Sequence, residues 1–208
     1  PQRHKTIAEV ALASHYFRLS FPRGDDFATG LQASYVYDHP LTTMPAADRS
    51  SLGIYYPIMG HMCHLALVEV DIGTGKVKIL DYVAVHDAGT VVNPMTLDGH
   101  IRGGTAQGIG TALYEEFFYD ESGQLLTASF ADYLIPTLHE IPDKIRVDHV
   151  ETPSPYTEYG IKGGGEGGRM AAPAALAAAV EDALATFGVK VNELPLTPNR
   201  IHALIHNN

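Results

Sequence analysis

Residues 160–173 read GIKGGGEGGRMAAP: one carboxylate, Glu166, with glycine at the three positions before it and the two after it. Glycine has the most backbone freedom to lose on ordering, so such a run is a poor interior for a helix or strand. It is predicted as a loop in which successive backbone N–H groups turn toward one point. Behind it, PAALAAAVEDALATFG is predicted as a helix, with Pro173 near the first turn and Gly188 at the C-terminal cap. A glycine loop next to a helix N-terminus favours an anion or an oxygen-rich ligand. Residue type alone would make Glu166 a surface turn residue or a partner of Lys162. The glycines shift the reading, because they admit something bulky and leave Glu166 as the one proton-transferring group of the patch. A carboxylate in a partly dry site there is a general-base candidate.

A second glycine-rich stretch, MTLDGHIRGGTAQGIGTALYEEF (95–117), repeats Leu97, Ile101, Ile109, Ala112 and Leu113 near helical spacing. It holds Gly99, Gly103, Gly104, Gly108 and Gly110. Each costs about 1 kcal/mol relative to alanine in a helix interior. Close helix packing and close approach of a ligand both account for them, and propensity does not separate the two.

Elsewhere, Thr6-Ile7-Ala8-Glu9 reads as a capping box opening a helix with Ile7, Val10, Ala11 and Phe17 on one face. FPRGDDFATG (21–30) reads as a loop and LQASYVY (31–37) as a strand. HLALVEVD and KVKILDYVAV flank IGTG as a β-hairpin. Residues 117–130 suggest a second hairpin turning at Glu121-Ser122-Gly123. KIRVDHV (144–150) is a predicted strand, and a last helix is predicted at 198–206 with Thr197 as N-cap. Strands and helices mix without a βαβ rhythm, so the predicted class is α+β with mixed sheets.

Several functions are disfavoured. The 208 residues carry a net charge of −10 with only 14 Lys and Arg, which argues against a basic nucleic-acid face. No run of about 18 apolar residues suggests a membrane span. The single cysteine, Cys63, fits a reducing compartment, and the expected location is cytoplasmic. Gly163, Gly165 and Gly168 satisfy G-x-G-x-x-G, but they follow a Pro-rich loop where a dinucleotide fold needs a strand. HMCH (61–64) places His61 and Cys63 on one strand face and His64 on the other, poor geometry for a metal, so core packing is preferred. His86-Asp87 lacks a G-x-S-x-G nucleophile and is assigned to loop capping.

The stretch HDAGTVVNPMTLDGHIRGGTAQGIGTALYEEFFYDESGQLLTASFADYLIP resembles the C-terminal molybdopterin-binding region of the molybdenum hydroxylases, the xanthine dehydrogenase, aldehyde oxidase and aerobic carbon monoxide dehydrogenase group. GIKGGGEGGRMAAPAALAAAVEDAL resembles that family's G-x-K-G-x-G-E segment and following helix. The resemblance is dense from about 53 to 204 and weaker before. It implies that Glu166 is the general base at the molybdenum centre, in a reaction that hydroxylates an aldehyde or N-heteroaromatic carbon with water as oxygen source. It implies that Gln107 lies near the metal. Gly103, Gly104, Gly108, Gly163, Gly164 and Gly165 would let backbone lie against the cofactor, and Lys162 would orient the loop. No protein side chain is expected as a metal ligand.

The implied cofactor is molybdenum-molybdopterin in its cytosine dinucleotide form, with 2Fe-2S and FAD on partner subunits. His100 and Ala88 depart from the family's frequent glutamine and cysteine. The family's large subunit is several times longer than this chain. Residues 1–208 are therefore expected to form a C-terminal region, with room for two α+β subdomains, inactive without the N-terminal half, the 2Fe-2S subunit and the FAD subunit. The alternative is a cofactor-free binding or assembly module that kept the fold.

Overall fold

The computed structural model describes residues 4–15 and 34–206, and the chain divides into two compact units, Pro1–Pro57 and Ile58–Asn208. In the first unit, helix α1 spans Ile7–His15. The Thr6 N–H donates to Glu9 Oε2 at 2.8 Å and the Glu9 N–H donates to Thr6 Oγ1 at 3.2 Å, the reciprocal cap predicted from Thr6 and Glu9. Ile7 and Val10 are exposed and Ala11 is half-buried, while Phe17 and the predicted loop 21–30 lie outside the described residues. Of the predicted strand 31–37, residues 34–37 are irregular, and Tyr35, Val36 and Tyr37 are exposed. Alternation alone does not make a strand; a hydrogen-bonded neighbour does, and no described residue pairs with 34–37.

The second unit is α+β. Strands β1 (His61–Val70), β2 (Val77–Asp87) and β3 (Ile145–His149) form one sheet in the order β1-β2-β3, antiparallel then parallel. The predicted hairpin closes at Asp71: its N–H donates to the Lys76 carbonyl at 2.9 Å, and its Oδ1 accepts from the Gly73 N–H at 2.9 Å. Gly75 has φ 72, and an added Cβ would lie 2.0 Å from the Pro198 carbonyl oxygen, so the turn demands glycine there. The second predicted hairpin turn also forms, reduced to a single Tyr119–Leu125 bridge.

Helix α2 spans Pro94–Leu113, opened by Asn93, whose Oδ1 accepts the Thr96 N–H at 3.1 Å. It ends at Leu113, the last residue of its apolar repeat. The chain folds back over Gly110, where a Cβ would meet Glu115 Oε1 at 2.3 Å. Helix α3 spans Gly167–Ala183, so Pro173 is its seventh residue and not part of its first turn. The prediction missed this because α3 opens with Gly167 and Gly168, and glycine propensity argues against helix. Tertiary packing overrides that preference. Gly188, with φ 69, caps a 3-10 turn, Ala185–Phe187, that continues α3. Helix α4 (Pro198–His206) begins as expected at Thr197, whose carbonyl accepts the Ile201 N–H.

One hydrophobic core joins these elements. Tyr82 and Ala84 of β2, Ile101, Ile109 and Ala112 of α2, Ala172, Leu176 and Val180 of α3 and Ile201 of α4 are all fully buried. Burying each large aliphatic side chain contributes about 1.5–3 kcal/mol, which fixes both long helices against the sheet.

Candidate functional site

The site is set by how closely α2 and α3 cross. Gly104 and Gly108 are four residues apart on α2; Gly168 and Ala172 are four apart on α3. Each pair presents one face. A Cβ on Gly168 would lie 2.3 Å from the Ile101 carbonyl oxygen, one on Gly104 2.9 Å from the Arg169 nitrogen, and one on Gly108 2.6 Å from Ala172 Cβ. The helices therefore touch backbone to backbone. This carries the first turn of α3, and Glu166 just before it, onto the middle of α2.

A cleft of about 220 Å³ opens at that junction, lined by Gly99, His100, Gly103, Gly104, Gln107, Gly165, Glu166 and Arg169. Positions 99, 103, 163 and 165 differ from the packing glycines: an added Cβ there would meet nothing within 4 Å. Packing among the described residues gives no reason for glycine at these four positions. Of the α2 glycines, Gly104 and Gly108 serve the helix crossing, and Gly99 and Gly103 leave backbone bare.

Of the residues singled out in the sequence, Gly103, Gly104, Gln107, Gly165 and Glu166 line the cleft. Gly108 packs against α3, and Gly164 sits against Leu97 and Ala88. Sequence reading missed Arg169 as a wall residue. Its signal was present, since a residue three past Glu166 on a new helix returns to the same side. Arg169 and the N-terminus of α3 give this wall a positive character suited to anionic ligand groups.

Glu166 is exposed, with no side-chain capping bond; its carbonyl accepts the Arg169 and Met170 N–H groups and starts α3. The described residues leave the Glu166 carboxylate exposed, so they do not build the partly dry site expected from the sequence. Pairing with Lys162 is not realised either. Lys162 Nζ donates to Asp87 Oδ2 at 2.8 Å and to Thr152 Oγ1 at 2.6 Å. Both side chains of the ion pair are about nine-tenths buried. Burial pushes the Asp87 carboxyl up, but hydrogen bonds from Lys162 and Thr152 and from the Gly89 and Thr152 N–H groups outweigh it. They hold the carboxyl well below the usual carboxylate range. Asp87 thus caps its loop as predicted, and Lys162 ties the glycine segment to the end of β2.

His86 lies directly beneath the same segment. It is buried, and its Nε2 is 2.7 Å from His64 Nε2; His64 Nδ1 is 2.8 Å from the Tyr82 hydroxyl. Burial lowers the His64 pKa to about 4, with the neighbouring His86 adding to the effect. Burial, then His149, lowers His86 as well. That His64 faces away from His61 and Cys63 was legible from strand alternation, but its partner was not. Among the described residues no group of three or more His, Cys, Asp and Glu is placed to hold a metal ion. A roomier cleft of about 640 Å³, lined by Glu69, Asp71, Lys76, Tyr114, Glu140 and Asp143 among others, contains none of the candidate site residues. Its walls mix charged side chains with Val77, Ile79, Ile141 and Pro142, so size alone does not make it the site.

Residues 2–142 match the molybdopterin cofactor-binding domain family. The nicotine 6-hydroxylase large subunit of Paenarthrobacter nicotinovorans is 39% identical over 94% of this chain and 22% of its own length. The chain belongs to the molybdopterin-binding large subunits of the molybdenum hydroxylases. The 6-hydroxypseudooxynicotine dehydrogenase complex subunit gamma of the same organism is 46% identical over 94% of the chain. Among solved structures, quinoline 2-oxidoreductase from Pseudomonas putida 86 matches with a TM-score of 0.73 and 43% identity, covering 95% of this chain and 23% of that one. The chain thus corresponds to about a fifth of the length of the molybdenum hydroxylase subunits it resembles. Among the described residues no helix is long and apolar enough to cross a membrane.

Proposed function

We propose that this chain forms one wall of the active site of a molybdenum hydroxylase that hydroxylates an aldehyde or N-heteroaromatic carbon, with water as the oxygen source and Glu166 as general base. The observation that carries the reading is the pairing of a single carboxylate with bare backbone. Among the described residues Glu166 is the one carboxylate lining the cleft, and Gly99, Gly103, Gly163 and Gly165 near it face open space. The residues present fit the molybdenum cofactor: an open glycine cradle, a helix N-terminus and Arg169 suit a bulky ligand with anionic groups. Gly99, Gly103, Gly165 and Gln107 would hold it, and the bound cofactor supplies the redox chemistry.

The chain's own part is positioning and proton transfer. The α2–α3 crossing fixes Glu166 at the cleft, and Lys162 and Asp87 hold the loop that leads to it. The Glu166 carboxylate accepts a proton as the substrate carbon is hydroxylated, and the remainder of the enzyme encloses the site. The relatives named for nicotine and quinoline support an N-heteroaromatic substrate. The cytosine dinucleotide form of the cofactor, the N-terminal half of the large subunit and separate 2Fe-2S and FAD subunits complete the proposed assembly.

In the assembled enzyme, Glu166→Gln should retain its molybdenum and lose turnover by about 10²–10⁴-fold, the range for removing a positioned base. Near-normal turnover with full molybdenum content would overturn the assignment.

A further inference from the structure

Glu166 has no side-chain capping bond of its own, so its position is inherited from the backbone on which it sits. The next residue, Gly167, is clamped. On one side is the His86 ring: a Cβ added to Gly167 would lie 2.4 Å from His86 Cε1 and 2.6 Å from His86 Nδ1. On the other side, Gly168 rests against the Ile101 carbonyl of α2. The His86 ring cannot give way easily. It is 3% exposed, and its Nε2 is held at 2.7 Å by His64, which is held in turn by Tyr82. Buried rings locked in a polar network form a rigid floor, and functional groups are placed accurately only when their supports are locked.

We propose that His86, braced by His64, is the positioning residue for Glu166: the imidazole sets the height of Gly167 and so of the carboxylate that faces the cleft. This explains two features that the catalytic reading leaves open. The residue after Glu166 must be glycine because a ring fills the space of its Cβ. The HD pair at the end of β2 grips the glycine segment twice, through Asp87 to Lys162 and through His86 to Gly167. The inference rests on Glu166 being the base, but its structural half can be read without turnover.

The test compares His86→Ala, His86→Gln, Gly167→Ala and the double variant His86→Ala/Gly167→Ala in the assembled enzyme. Measurements are kcat, KM, molybdenum content and backbone amide exchange across residues 163–170. His86→Ala should lower kcat about tenfold to a hundredfold with KM within about twofold, the signature of a reacting group displaced by a fraction of an ångström. Its amides over 165–170 should exchange at least about tenfold faster while those of 176–183 are unchanged. His86→Gln keeps a nitrogen or oxygen within reach of His64 and should stay within about threefold of the parent in kcat. Gly167→Ala should be impaired, and the double variant, which empties the space that the new methyl needs, should recover in assembly and turnover relative to it. Unchanged exchange over 165–170 in His86→Ala, or a double variant no better than Gly167→Ala, would overturn the proposal. Were Glu166→Gln to remain active, the base assignment would fail while the exchange measurement still decided the role of His86.

Discussion

Lys162 Nζ reaches back across the fold to Asp87 Oδ2, 2.8 Å away, and both side chains are about nine-tenths buried. Seventy-five positions separate them in the chain. This ion pair is what converts a flexible glycine run into a fixed loop, because it anchors the run four residues before Glu166. Lys162→Met should therefore cost about 3 kcal/mol, the typical loss when one partner of a buried pair is removed. A double-mutant cycle with Asp87→Asn, read from denaturant or thermal midpoints, should show a double loss smaller than the sum of the singles. The folded Asp87 carboxyl sits below its ordinary value of 3.8, so the pair's contribution is complete above that pH and is lost as the pH falls below it. An unchanged midpoint for Lys162→Met would remove the pair from the account of the loop.

The two kinds of glycine should respond oppositely to alanine. At Gly168 the new methyl would meet a backbone oxygen at 2.3 Å, which neither helix can vacate without moving. Gly168→Ala should destabilise by at least about 1–3 kcal/mol, the usual penalty for overpacking. At Gly103, within α2, nothing lies within 4 Å of the new methyl. Gly103→Ala should raise stability by about 0.5–1 kcal/mol through helix propensity, yet lower the molybdenum content of the assembled enzyme. Thermal midpoints with metal analysis check both. A Gly103→Ala variant with normal molybdenum would show that the bare backbone there does not face the cofactor.

The paired imidazoles predict an acid-side loss of stability. His64 has an ordinary value of 6.5, lowered to about 4 in the folded chain by burial and by His86. The unfolded chain then binds the extra proton first. His64 stability is complete above pH 6.5 and declines as the pH falls from 6.5 toward 4. His86 is lowered as well and acts in the same direction. Over that window the parent's thermal midpoint should fall more steeply than that of His64→Gln, which has one imidazole fewer to titrate. Parallel curves would mean that the pair does not carry this burial penalty.

Much of this protein was already written in local patterns. The hairpin around IGTG, the long glycine-bearing helix, the Thr197 cap and the isolation of Glu166 were all readable, because turn chemistry and apolar period act within a few residues. The start of α3 was not. Gly167 and Gly168 argue against helix by propensity, and only the backbone contact with α2 makes them helical.

The sequence by itself determined the β1–β2 hairpin, the long helix α2, the cap of α4 and which carboxylate is set apart by glycine. The tertiary structure alone decided the roles within that set. It divided the glycines into those that bring α2 and α3 together and those whose backbone is left bare. It gave Lys162 to Asp87 and not to Glu166, and it brought His86 under Gly167. The contacts concerned, 86 with 167, 87 with 162 and 104 with 168, join residues far apart in the chain. Local periodicity specifies which face of an element is apolar, but the distance between two faces depends on how closely their backbones can approach. Small residues at the α2–α3 crossing set that distance here.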